Sequence, residues 1–160
     1  MPDNGWHNRI MLTDGDYKPS PVEFISQYVE KYEGSNGTEG YLYNGRPVVL
    51  LISKGAKTGR TRKVPVMRIE HEGQYALVAS SAGSDKHPGW YHNLLREPRV
   101  QIQDGPVKRD FIAREITGDE RSTWWSRALA TWPEFDDYTR MTSRTIPLFV
   151  LTAVEQQGAA

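Results

Sequence analysis

Two rhythms of apolar and polar positions run along this chain. Phe24, Ile25, Tyr28, Val29 and Tyr32 recur at helical spacing and make one apolar stripe. Pro21 stands where a helix starts, since its missing N–H is harmless in the first turn. Gly34-Ser35-Asn36-Gly37 ends that helix. Such a stripe either packs on a core or covers a groove. After it the period shortens to that of strands. Pro47–Ile52 and Val64–Ile69 are rich in β-branched residues, and strands are expected over 46–54, 62–70 and 74–81. His71-Glu72-Gly73 makes the turn between the last two.

The second half mixes both rhythms. Pro88–Leu95 predicts a short helix with Trp90, Tyr91, Leu94 and Leu95 on one side, stopped by Glu97-Pro98. Val100-Gln101-Ile102-Gln103 alternates as a half-buried strand does. Asp104-Gly105-Pro106 turns the chain into a strand over 107–116, with Val107, Arg109, Phe111 and Ala113 on one side. Thr117-Gly118-Asp119-Glu120 has the cap-and-acid composition of a helix start. Trp124, Trp125, Ala128 and Leu129 give that helix its apolar face. Pro133–Tyr138 opens a second short helix, and Ile146–Leu151 is a last strand. Many strands, short turns and helical excursions predict a mainly β, α+β fold: a small antiparallel barrel with helices outside it. Residues 1–20 read as a loose arm, from which Trp6, Ile10, Met11 and Leu12 could dock. Residues 21–155 read as a single domain with an N-terminal helix, and 156–160 as a polar tail.

Composition narrows the function classes. A chain of 160 residues fits one domain. Its formal net charge is zero, which disfavours nucleic acid as a partner. It has no cysteine, which excludes disulfides, thiolate metal sites and a cysteine nucleophile. No apolar run approaches the about 18 residues that span a bilayer. Met1–Lys18 lacks the apolar core of a signal peptide. The expected location is the cytoplasm.

Between two of the strand runs lies Lys54-Gly55-Ala56-Lys57-Thr58-Gly59-Arg60-Thr61-Arg62-Lys63. These ten residues carry five fixed positive charges and two glycines. One reading is a solvated hairpin tip. The other is an anion site, because successive free N–H groups in a glycine turn form an anion-binding concavity. Elsewhere the familiar chemistries are missing. His7, His71, His87 and His92 lack metal-ligand spacing. No serine has a G-x-S-x-G context, the basic loop is not a Walker A motif, and G-x-G-x-x-G is absent. What remains is a basic glycine loop, a small polar Ser80-Ser81 step and the aromatic run Gly89-Trp90-Tyr91-His92-Asn93. A basic loop holds anions, small residues admit a flat ring and aromatics wall it in, as a phosphate-bearing planar redox cofactor needs.

These segments resemble the deazaflavin-dependent nitroreductase family. The likeness is carried by Gly55–Arg62, Val78-Ala79-Ser80-Ser81, Pro88–Leu94 and Glu97-Pro98-Arg99-Val100. It continues in Trp132–Tyr138 and Arg144-Thr145-Ile146-Pro147, and runs from about Arg46 to Leu151. The resemblance implies an FMN-binding-like split β-barrel that takes coenzyme F420, a 5-deazaflavin with a phosphodiester and a polyglutamate tail. It implies Ala56, Lys57 and Thr58 on the phosphate side. Arg62, Lys63, Val64, Pro65, Val66 and Met67 would run beneath the cofactor, with Lys63 toward the anionic tail. Ala79, Ser80, Ser81 and Ala82 would lie along the ring, and Gly89, Trp90, Tyr91, His92 and Asn93 would close its other edge.

The implied reaction is hydride transfer from reduced F420 to an electron-poor small molecule: a quinone, a nitroaromatic or a conjugated enone. A proton must follow, from Ser81, Tyr138 or water. Trp132, Phe135 and Tyr138 would line the substrate side. Family members carry tyrosines in this segment, whereas Trp132 and Phe135 stand here, and a phenylalanine cannot donate a proton. Two other readings keep the barrel: an FMN-dependent reductase, and a non-catalytic F420 carrier. No metal is expected. A monomer or weak homodimer is, with peripheral contact of the N-terminal segment at the inner membrane face left open.

Overall fold

The computed structural model describes residues 16–154. Trp6, Ile10, Met11, Leu12 and the 156–160 tail lie outside them. In chain order the elements are α1 (Glu23–Gly34), β1 (Leu42–Tyr43), β2 (Arg46–Lys54), β3 (Thr61–Met67), β4 (Glu70–His71) and β5 (Gln74–Val78). A one-turn helix follows at Ser81–Gly83. Then come α2 (Gly89–Arg96), β6 (Arg99–Asp104), β7 (Val107–Glu115), α3 (Gly118–Thr131), α4 (Glu134–Thr139) and β8 (Leu148–Ala153).

The strands form one curled antiparallel sheet in the order β1-β2-β6-β7-β8-β5-β4, with β3 on the free side of β2. Curling makes β2 and β8 buried on both faces, and this is why they read as unbroken apolar runs. The period of two survives inside them. Val49 and Leu51 of β2, with Phe149 and Leu151 of β8, fill the barrel interior. Val48 and Leu50 face outward onto Val29 and Tyr32 of α1. Leu148 and Val150 face outward onto Trp124 and Ala128 of α3 and Phe135 of α4. The helices therefore pad two outer faces of the barrel.

Two expected strands end early, each for its own reason. The 62–70 run divides because the chain changes partner: Arg68 N still donates to Pro47 O beside β2, while Ile69 O already accepts from Ala76 N of β5. The 74–81 run stops at Val78 because Ser81 and Ala82 take left-handed backbone angles. In β7, Phe111 and Ala113 point inward as expected, but Val107 is 52% exposed because it stands near the sheet's end. Thr117 does not cap α3 with its side chain; it supplies its carbonyl to Arg121 N instead.

Tyr32 fixes α1 on the sheet. Its hydroxyl donates to Val48 O at 2.9 Å and accepts from Gly105 N at 2.9 Å. Burial pushes its pKa up to about 12. The end of the arm docks as well: Tyr17 bridges to Thr61, and Lys18 N donates to Thr61 O at 2.9 Å.

Candidate active site

Two cavities lie at the two ends of α2. The first, of about 440 Å³, is apolar. One wall is β3 from Val64 to Met67, another is Ser80, Ser81 and Ala82, and Pro88 with Trp90 forms a third. Trp132, Phe135 and Tyr138 close it from the α4 side, and Val22, Phe24, Ile25 and Tyr28 from α1. The second cavity, of about 370 Å³, is lined by Lys54–Gly59, Arg96 and Glu97. It sets three cations against one carboxylate. Trp90 and Arg96 lie on the same helix, about 9 Å apart along its axis. Asn93, between them, accepts from Ala56 N through Oδ1 at 2.9 Å and so fixes the basic loop to α2.

The wall at Ser81 is strained. Ser81 has φ 46° and Ala82 φ 52°, a left-handed pair of non-glycine residues that costs about 1–2 kcal/mol each. Gly83 continues at φ 83°, and a Cβ there would stand 2.7 Å from Met141 Sδ. Only glycine fits that approach. Such strain concentrates where a side chain must be presented at a functional surface.

On the α4 side Arg46 does the orienting. Its guanidinium lies 4.1 Å over the Trp132 ring and donates to Glu134 Oε2 at 2.7 Å. That contact lowers the Glu134 pKa. Trp132 Nε1 in turn donates to the Tyr138 hydroxyl at 3.3 Å.

Of the residues singled out by sequence, Val64–Met67, Ser80–Ala82, Trp90, Trp132, Phe135 and Tyr138 share the apolar cavity, and Ala56, Lys57 and Thr58 share the cationic one. The others sit around them. Ala79 is fully buried behind the wall. Gly89, His92 and Tyr91 lie on α2 outside the apolar lining, and the Tyr91 ring stacks 4.2 Å from that of His87. Arg62 runs beside Gly55 at the root of the loop.

Lys63 departs from the expectation. Strand alternation turns it to the α1 side of β3, where its side chain is 2% exposed and its Nζ lies 2.6 Å from Glu33 Oε2. The Tyr17 ring covers it at 4.6 Å. Arg60 also turns to the arm and donates to Tyr17 O at 3.2 Å. Two of the loop's five charges thus hold the N-terminal segment, and neither lines the cationic cavity.

The sequence reading gave no site role to Arg96 or Arg144, and it left the α1 stripe open between core packing and a groove cover. The α1 stripe carried a signal, and the two readings of it divide along the helix. Val29 and Tyr32 are core, while Ile25 and Tyr28 face the cavity and Phe24 is 59% exposed at its edge. Arg96 gave no signal, because it reaches its place through the fold; Arg144 stood in the family-like run Arg144–Pro147, but its partners follow from the fold.

Residues 25–153 match the model of the F420H(2)-dependent quinone reductase family. The chain belongs to that family. Its members are oxidoreductases that use reduced coenzyme F420. An F420H(2)-dependent quinone reductase of Mycobacterium tuberculosis (strain ATCC 25618 / H37Rv) is 34% identical over 135 residues, which cover 82% of this chain and 91% of that protein. A solved F420-H2 dependent reductase (FDR-A) is 45% identical, with a TM-score of 0.63 over 67% of this chain and 95% of its own. A second structure, described as a domain-swapped dimer, is 40% identical, with a TM-score of 0.66 over 83% of this chain and 100% of its own. The open, curled antiparallel sheet is accordingly a split β-barrel, as the sequence resemblance implied. The two cavities fit the family cofactor in kind: an apolar slot for a planar ring, and beside it a cationic one for an anionic tail.

Proposed function

We propose that the protein reduces an electron-poor small molecule, of quinone, nitroaromatic or conjugated enone type, with reduced F420. The supporting observation is the placement of an apolar cavity and a cationic one at the two ends of a single short helix, α2. Lys54, Lys57, Arg96 and the Gly55–Gly59 backbone would hold the anionic tail. Val64–Met67, Ala82 and Trp90 would hold the ring. When bound, the reduced deazaflavin supplies a hydride. The protein's share is orientation, exclusion of water and one proton. Reduction of a quinone to the hydroquinone takes up one hydride and one proton, so a donor must reach the acceptor oxygen. The Tyr138 hydroxyl accepts from Trp132, which leaves its own O–H free to turn toward the cavity. Ser81 Oγ is the alternative donor on the opposite wall. FMN has a single phosphate and needs fewer cations than this cavity offers, which argues against an FMN enzyme.

The deciding experiment is titration of the purified protein with oxidised F420, followed by quenching of deazaflavin fluorescence, beside a parallel titration with FMN. Binding of F420 and not FMN is expected, followed by oxidation of F420H2 only when an acceptor is added. FMN binding without F420 binding would refute the proposal. F420 binding with no active acceptor across the three chemical classes would make the protein a carrier.

A further inference from the structure

Arg144 lies between α4 and β8 and lines neither cavity. Its guanidinium nevertheless makes four contacts around the Ser81 wall. Nε donates to Ser84 O at 2.9 Å. Nη2 donates to Ala79 O at 3.1 Å and to Ser80 O at 2.9 Å. Nη1 meets His87 Nδ1 at 2.9 Å. A guanidinium has only donors and does not lose its charge. Nδ1 must therefore accept, and His87 is neutral with its proton on Nε2.

These contacts bracket the strained turn. Ala79 and Ser80 precede it, Ser84 follows it, and His87 stands two residues before α2. Successive left-handed residues outside glycine persist only where their surroundings over-determine them. Here one segment does so from two sides, with Arg144 on the flanking carbonyls and Met141 against Gly83. The same segment continues from α4, which carries Phe135 and Tyr138. A lysine could not replace Arg144, because a single ammonium on a flexible stem cannot make this planar fork.

We propose that Arg144 is a positioning residue that holds Ser81 and Ala82 against the cavity and fixes His87 in one tautomer at the head of α2. The inference rests on the reading of that cavity as the deazaflavin site. It has a consequence that needs no cofactor: the Arg144 contact dictates the tautomer of His87.

The test uses Arg144→Ala, Arg144→Lys and the wild type. In the cofactor-free protein, ¹⁵N shifts of the His87 ring are expected to report one tautomer, with the proton on Nε2, and a tautomer mixture in both variants. Binding of oxidised F420 should weaken about tenfold or more in Arg144→Ala, since displacements of about 1 Å are costly at such sites. Added guanidinium should restore it, because the vacated half-buried site can take the free cation. If Arg144→Ala does not fold, Arg144→Lys is expected to fold and to show the same loss. Wild-type binding of F420 with unchanged binding in the variants would overturn the proposal. So would a binding loss that tracks a lowered melting temperature and is not rescued. If the wild type itself binds no F420, the cofactor reading falls, and the His87 shifts alone decide whether the clamp exists.

Discussion

Trp132 donates its indole N–H to the hydroxyl of Tyr138 at 3.3 Å. Arg46, stacked on the Trp132 ring and bonded to Glu134, keeps the indole in place. The phenol oxygen is thereby used as an acceptor, and its proton is left for the cavity. Tyr138→Phe should lower kcat for quinone reduction on the order of 100-fold while leaving the F420 dissociation constant unchanged, since general acid catalysis contributes about 10²–10⁴. Ser81→Ala is the control. Steady-state kinetics of the pair identify the donor: a loss confined to Ser81→Ala moves the role to the other wall.

Two lysines six residues apart should behave in opposite ways. Lys57 lines the cationic cavity and is exposed. Lys57→Ala should weaken F420 binding about tenfold at low salt, and the difference should shrink as ionic strength rises. Lys63 is buried against Glu33. Lys63→Ala should instead cost about 3 kcal/mol of stability, because it strands a carboxylate in a poorly solvated place. Urea unfolding and fluorescence titration of both variants separate the roles. Loss of F420 affinity in folded Lys63→Ala would return Lys63 to the cofactor.

The pH dependence of stability should carry a mark of His87. Burial, the Arg144 guanidinium and His92 lower its pKa, while Glu115 opposes them, and Tyr91 stacks on its ring. The folded state therefore binds this proton less readily than the unfolded chain does. The stabilisation is present above the unfolded value of about 6.5 and is lost as pH falls through the lower folded value. The melting temperature of the wild type should fall more steeply as pH drops below about 6.5 than that of His87→Gln. Parallel curves would show that folding does not disfavour the protonated ring, against an accepting Nδ1 at Arg144.

Gly83→Ala should destabilise by about 2 kcal/mol and should disturb the Ser81 wall. It adds a methyl group 2.7 Å from Met141 Sδ at a left-handed residue. Met141→Gly in the same chain should recover only the steric part. Thermal melts of the single and double variants measure the two parts, and full recovery would mean that the backbone angle itself costs little.

Much of this fold was legible in the order of residues. The β2 strand was read to the residue, since Arg46–Lys54 is bounded by a polar turn and a basic glycine loop. The α3 face of Trp124, Trp125, Ala128 and Leu129 was legible because helical spacing alone selects it. The strand expected over 62–70 was too long, because the change of partner at Arg68 depends on where β5 lies. Lys63 misled for a related reason. Its charge is visible in the sequence, but its side of the strand follows from the register with β2.

By itself, the sequence did not determine the short β1 and β4 or the one-turn helix at Ser81–Gly83. It determined the main strands and helices, the basic loop and the aromatic run that marks the family. These are local properties of spacing, charge and backbone freedom. Only the tertiary structure decided how the loop's charges divide. Lys54 and Lys57 line a cavity with Arg96, while Arg60 and Lys63 secure the N-terminal segment. It also decided that Arg144, some 60 residues away in sequence, braces the Ser81 turn. Packing and register are sums over the whole chain, and no short stretch contains them.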